Sequence, residues 1–271
     1  MFASPETRAH CVLAILPFQP IRKIQQLQIG FVQAAMSGLF ECEQEDTWRK
    51  VEGKYWHVVE AKAKTGKKSG KLLGLDKWYQ EELPTLISSR SDKHVTLSEM
   101  VKLMEWKLTR GKFRPRLQQL VASNSEDTVE TCSTKAFRLL PDVSAAIAEL
   151  STMKGVGPAT ASALLAAGAA EQAAFMSDEA MESIPGLTPI QYTAKHYTLY
   201  LDKMVEKSKK LNKVDPQQDW TPQRLERCLW ALAVAKQQQL PLLKDVDVKG
   251  STVAEDCADA DHRPSKKLKK R

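Results

Sequence analysis

From Thr47 to residue 242 the apolar residues recur at three- and four-residue intervals and nowhere alternate, which confines the fold to helices. Trp48, Val51, Tyr55, Val58 and Val59 keep this spacing, and "KAKTGKKSGK", residues 62–71, then interrupts it with glycines and lysines, as a mobile basic loop would. That segment is not a phosphate-binding P-loop: Gly66 and Gly70 stand one residue too close, and Leu72 follows Lys71 where a hydroxyl would be needed for magnesium. With no period-two segment, the expected class is all-α.

Start and stop signals divide the pattern. A helix is expected from Lys77 to Ser89. Thr96 and Glu99 form a capping box for a helix with Met100, Val101, Met104 and Leu108 on one face, closed by Gly111. Pro115, between Arg114 and Arg116, suits a further helix start. Thr188-Pro189 and Thr221-Pro222 each pair an N-cap hydroxyl with a proline at the first helical position. The first of these should present Ile190, Tyr197, Leu201, Met204 and Val205 inward and Lys203, Lys207, Lys209 and Lys210 to solvent. The second should bury Leu225, Leu229, Leu232 and Ala233.

The chain has 271 residues, 42% of them hydrophobic, enough for a sizeable core. No apolar run approaches the roughly 20 residues that span a bilayer. The cysteines, Cys11, Cys42, Cys132, Cys228 and Cys257, are odd in number and never spaced C-x-x-C, so neither a disulfide framework nor a metal cluster is indicated, and no cofactor is implied. Residues 1–46 read as a dispensable extension, the first 35 compatible with a mitochondrial-type presequence and Met36 an alternative start. Residues 47–242 form the helical domain. Residues 243–271 read as a disordered tail whose terminal "RPSKKLKKR" is either a nuclear import signal, placing the protein in the nucleus, or a solubilising end.

Charge is distributed unevenly. Residues 48–118 carry 17 Lys/Arg against 8 Asp/Glu, residues 123–186 carry 3 against 9, and residues 187–271 carry 17 against 11. Basic flanks can hold a polyanion such as nucleic acid, or can simply solvate helix surfaces. The best phosphate-contacting patch is Lys107, Arg110, Lys112, Arg114 and Arg116 around Phe113, which reads equally as a solvated helix end.

The acidic middle holds the most informative stretch, "LSTMKGVGPATASALLA", Leu150 to Ala166. Asp142 or Ser144 can cap a short helix with Val143, Ile147 and Leu150 on one stripe. Gly155-Val156-Gly157 turns the chain, and Pro158 opens a second helix bearing Ala161, Leu164, Leu165 and Gly168. Val156 should insert beneath the pair, and Ala161 is small enough for close approach. Glycines permit positive φ and leave the amides of such a turn uncovered, a site for a phosphate.

These residues resemble the helix-hairpin-helix motif of DNA-binding proteins, apolar-Gly-apolar-Gly with a small residue four positions on. The resemblance implies that Lys154, Gly155, Val156, Gly157, Ala159 and Thr160, helped by Lys112, Arg114 and Arg116, hold the backbone of DNA or another nucleic acid without reading sequence. It further implies that bulkier residues at Gly155 and Gly157 weaken binding without unfolding the chain. A turn of this form also serves as plain structure, or docks a protein partner.

More weakly, residues 142–182 resemble the helix-hairpin-helix base-excision DNA glycosylases, in which an aspartate follows the first hairpin glycine by a little over twenty residues. Asp178, in "AAFMSDEAM", stands 23 residues after Gly155. By that match Asp178 would stabilise an oxocarbenium-like transition state, or assist water, once a damaged base has been flipped out. Ser177 and Asp178 also suit an N-cap and an acidic first turn. Ala159 stands where the glycosylase-lyases carry a Schiff-base lysine, so no lyase activity is implied, and Ser183 stands where an arginine often follows the aspartate. Elsewhere, His10, His57, His94, His196 and His262 show no metal spacing, His196 reads as a boundary residue, and Trp106 and Trp230 read as core.

Overall fold

A computed structural model of the chain describes residues 38–65, 70–244 and 246. It is all-helical, with no strand among those residues. Twelve α-helices follow in order: α1 (Glu45–Gly53), α2 (Tyr55–Thr65), α3 (Lys71–Lys77), α4 (Leu83–Ser89), α5 (Leu97–Arg110), α6 (Leu117–Ala122), α7 (Glu126–Leu139), α8 (Val143–Leu150), α9 (Pro158–Gly168), α10 (Asp178–Glu182), α11 (Ala194–Val214) and α12 (Pro222–Gln237). The N-terminal stretch compatible with a presequence, the middle of the expected basic loop and nearly all of the expected tail lie outside the described residues.

Two helices form the interior. In α9 every residue from Thr160 to Ala167 is buried, and in α12 so is every residue from Cys228 to Ala235, the pattern of helices enclosed on all sides rather than laid on a surface. Around α12 pack α1, α2, α10 and α11; around α9 pack α4, α5, α8 and α11. Alanines and one serine let α9 sit deep. Its last residue, Gly168, admits the ring of Phe137 where a Cβ would lie 2.4 Å from it. Tyr79 stacks on Trp106 with ring centroids 3.5 Å apart and donates to the Ala163 carbonyl at 2.8 Å, tying the segment before α4 to both α5 and α9.

The capping signals hold at three sites. The Thr96–Glu99 box is formed in both directions, Asp142 Oδ1 accepts from the Ala145 amide at 3.0 Å, and Thr221 caps α12 with Pro222 at its first position. Val156 is buried beneath the hairpin, and Trp106 and Trp230 are core. Cys42, Cys132 and Cys228 are free thiols, and no helix among the described residues is long and apolar enough to cross a membrane.

Other expectations are corrected. The helix expected at Lys77 begins at Lys71 and runs through a wide π turn, Trp78–Glu82, into α4; that turn places Trp78 and Tyr79 in the core. Pro115 precedes α6 by two residues instead of opening it. Helix α11 starts at Ala194, capped by the Thr193 hydroxyl, so Thr188 and Pro189 belong to a strap across the surface. Lys207, expected in solvent, is 5% exposed; its stem lies along the core and its Nζ stands 5.8 Å from the centre of the Trp48 ring. The packed body also begins before Thr47, since Leu39 and Cys42 are buried and Trp48 Nε1 donates to the Cys42 carbonyl at 3.0 Å.

Candidate nucleic-acid interface and cavity

The turn between α8 and α9 is braced from α6 and the residues after it. Asn124 holds the Lys154 peptide on both sides, accepting from its amide at 2.9 Å and donating to its carbonyl at 3.0 Å. Gly155 has φ +77°, and a Cβ there would come within 2.8 Å of Leu120 Cβ and 3.0 Å of the Val121 nitrogen, so this glycine is required both by its conformation and by the approach of α6. Gly157 is different. Its φ of −118° suits any residue, and a Cβ would meet nothing within 4 Å. The expectation that bulkier residues at both glycines leave the fold undisturbed is therefore corrected for Gly155, which packs against α6.

The amides of the turn divide in the same way. Those of Lys154 and Val156 are used within the protein, by Asn124 and by the Met153 carbonyl at 3.2 Å. The Thr160 amide is used by the Gly157 carbonyl. Among the described residues, no group accepts from the amides of Gly155, Gly157 or Ala159. Pro158, between the last two, has no N–H to leave unmet.

These residues line one wall of a cavity of about 550 Å³. A second wall is the loop leaving α5, with Lys112, Arg114, Pro115 and Arg116; a third is Phe175 to Glu179; Tyr192 on the strap closes one side, and Arg110 and Trp230 lie at the deep end. The structure thus gathers Gly155, Gly157, Ala159, Thr160, Lys112, Arg114, Arg116 and Asp178 around one space. Lys154 and Val156 stay outside it, the first with an exposed side chain and the second in the core. Arg114 and Arg116 are exposed and, among the described residues, pair with no carboxylate.

Asp178 is fixed from three directions. The chain approaching it, Ala174–Ser177, is buried and held by the Tyr197 and Tyr200 hydroxyls donating to the Ala174 and Phe175 carbonyls, by Ser162 Oγ and the Gln223 amide oxygen accepting from the Met176 and Phe175 amides, and by the Ser177 hydroxyl donating to Glu226 at 2.6 Å. Ser177 caps α10, which puts Asp178 at the first helical position, where a carboxylate is favoured. Its oxygens accept from Tyr192 Oη and Lys112 Nζ, each at 2.7 Å. The contact with Asp178 raises the Lys112 amine above its ordinary value, and burial followed by the same carboxylate raises the Tyr192 phenol. Ser183 is buried and donates to the Glu179 carbonyl at 2.7 Å.

Beneath the cavity lies a buried charged cluster. Arg110, expected as a surface phosphate contact, is 1% exposed and grips both oxygens of Glu226, at 2.7 and 3.1 Å, while Asp76 accepts from Tyr55 and Trp106 at 2.7 Å each. Burial pulls the Arg110 guanidinium down, but Glu226, Tyr55 and Asp76 outweigh it and hold it charged. Burial raises the Glu226 carboxyl, and Arg110 and the Ser177 hydroxyl draw it back; on the bidentate geometry the pair is ionic. Among the described residues Arg110 Nε and Trp230 Nε1 make no hydrogen bond, although Arg110 Nε stands in an ion pair 3.7 Å from Asp76 Oδ1. Lys62 donates to the Arg110 carbonyl at 2.7 Å. His196 is a boundary residue whose Nε2 stands 3.0 Å from the Leu187 carbonyl. Among the described residues no group of side chains could hold a metal ion.

Tyr192, Phe175, Glu226 and Lys62 escaped sequence reasoning. Phe175 sat within the quoted approach to Asp178, but nothing in the sequence tied Tyr192 or Glu226 to it. No family model matches the chain, and neither the curated proteins nor the solved structures compared with it give a match.

Proposed function

We propose that the protein binds the sugar–phosphate backbone of nucleic acid on the turn between α8 and α9. One observation carries this: among the described residues, the amides of Gly155, Gly157 and Ala159 have no acceptor and border the same cavity as two exposed arginines that pair with no carboxylate. Donors at the start of an eleven-residue helix, with its dipole behind them, suit a phosphate oxygen, and Arg114 and Arg116 add the charge that counters Asp178 and Glu179. Recognition of this kind is indifferent to sequence and falls steeply with salt.

The test is fluorescence anisotropy of a labelled duplex and of a labelled single strand, titrated at low salt and again at rising salt. Binding with a linear loss of log affinity against log salt is expected; absence of binding of either strand form at low salt refutes the proposal.

The cavity favours a second reading, base excision. Its volume suits a small ligand, and Tyr192, 44% exposed, and Phe175 supply aromatic lining. Asp178, held at the wall by Lys112 and Tyr192, is the carboxylate placed to stabilise positive charge on the sugar. A panel of damaged-base duplexes decides it: base release abolished by Asp178→Asn supports the reading, and no release from any of them by the native chain overturns it.

A further inference from the structure

Large aromatic rings ordinarily lie inside a fold, and most of those in this chain do. Among the described residues the aromatic side chains left exposed are Phe113, at 58%, and Tyr192, at 44%. Both belong to segments that border the cavity. Phe113 stands on the loop between α5 and α6, flanked by the lining residues Lys112 and Arg114, and Tyr192 stands on the strap before α11. Loop and strap meet on Asp178, whose two oxygens accept from Lys112 Nζ and Tyr192 Oη at 2.7 Å each. We propose that the hairpin takes a single strand of nucleic acid in preference to a duplex, with unpaired bases stacked on Phe113 and Tyr192.

The assignment rests on the backbone reading above and names the form of polymer that the same site takes. In a duplex the face of each base is covered by its neighbours, so an exposed ring beside the backbone finds nothing to stack on. In a single strand every base offers a face, whatever its identity. Tyr192 is anchored at its hydroxyl by Asp178, so its ring is held in place before a base arrives and little ordering cost is left for binding. Charge points the same way. Lys112, Arg114 and Arg116 follow one another along the loop, whereas the neighbouring wall opens α10 with Asp178 and Glu179, and Glu182, one turn on, is near enough to Lys112 and to both carboxylates to act on their charge. Cations bordered by carboxylates suit one line of phosphates better than two.

Fluorescence anisotropy of the full chain at low salt compares labelled probes of equal length: a mixed-sequence single strand without self-complementarity, the same strand annealed to its complement, and a base-free strand of tetrahydrofuran units joined by phosphates. The single strand should bind at least about fivefold more tightly than either of the others, since each stacked base contributes roughly 5- to 100-fold. Phe113→Ala and Tyr192→Ala, with thermal melts establishing that both are folded, should each lose about fivefold or more in affinity for the single strand and leave the duplex within about twofold. Tyr192→Phe keeps the ring and drops the hydroxyl, and should stay within about twofold of the native chain on the single strand. A duplex or base-free strand bound as tightly as the single strand, unchanged single-strand affinity in either folded alanine variant, or equal losses in Tyr192→Phe and Tyr192→Ala overturns the assignment and leaves the backbone reading standing. If none of the probes binds, the backbone reading fails and this one with it.

Discussion

Gly155 and Gly157 are two residues apart and chemically identical, yet alanine at each should do opposite things. At Gly155 the backbone is left-handed, which costs a non-glycine residue about 1–2 kcal/mol, and the added methyl would lie 2.8 Å from Leu120 Cβ, 3.0 Å from the Val121 nitrogen and 3.2 Å from the Leu117 carbonyl oxygen. Two of those three neighbours are backbone atoms and cannot swing away, so overpacking adds about 1–3 kcal/mol. The sum, about 2–5 kcal/mol, is a large share of the ~5–15 kcal/mol that holds a domain folded. Gly155→Ala should therefore lower the urea midpoint by roughly 1–2 M.

Gly157→Ala meets open space in an ordinary conformation and should stay within about 1 kcal/mol of the native chain. Its methyl instead stands beside an amide assigned to the ligand. Weakening that one charge-assisted contact by about 1–2 kcal/mol lowers duplex affinity roughly 5- to 30-fold. Urea unfolding and anisotropy on the same two proteins decide the matter. Equal stabilities would refute the packing argument, and native affinity in Gly157→Ala would refute the assignment of its amide.

Arg114→Ala and Arg116→Ala should each weaken binding of unrelated duplexes alike and flatten the slope of log affinity against log salt by about one; an unchanged slope removes that arginine from the contact. Glu226→Ala leaves Arg110 buried without its bidentate partner, with only the longer 3.7 Å pair to Asp76 remaining, and should cost about 3–5 kcal/mol in urea unfolding, whereas Asp178→Asn, whose partner Lys112 is 62% exposed, should cost no more than about 1 kcal/mol. The two values being alike would contradict the burial argument. Lys107→Met supplies a test by pH. An amine lowered by folding is protonated more readily in the unfolded chain, so it destabilises the fold most at low pH, and the effect fades as pH rises toward 10.5. The variant should be more stable than the native chain at pH 7, with a gap that closes on approach to pH 10.5. A gap of constant size refutes the shift.

What could be read in the sequence was mostly local. The Thr96–Glu99 box, Asp142 before α8, and Thr221-Pro222 before α12 are signals within four residues of chain, and all formed. Thr188-Pro189 carried the same signal and failed, because Thr193 offers the same hydroxyl five residues on and the intervening strap carries Tyr192 to Asp178. Periodicity gave the helical class and Val156 beneath the turn. It could not show that Arg110 finds Glu226 across 116 residues, that Lys207 turns its stem into the core, or that loop, hairpin and strap enclose one space. Those depend on how helices pack, and a helix's sequence fixes which face is apolar far better than which neighbour covers it.

The central claim concerns three peptide nitrogens, and amide NMR observes them directly. On titration of the ¹⁵N-labelled chain with a short duplex at low salt, the Gly155, Gly157 and Ala159 amide protons should move downfield together. Those of Lys154 and Val156, bonded to Asn124 and Met153, should move far less. If the largest shifts fall on another face while these three stay in place, the hairpin does not hold the backbone.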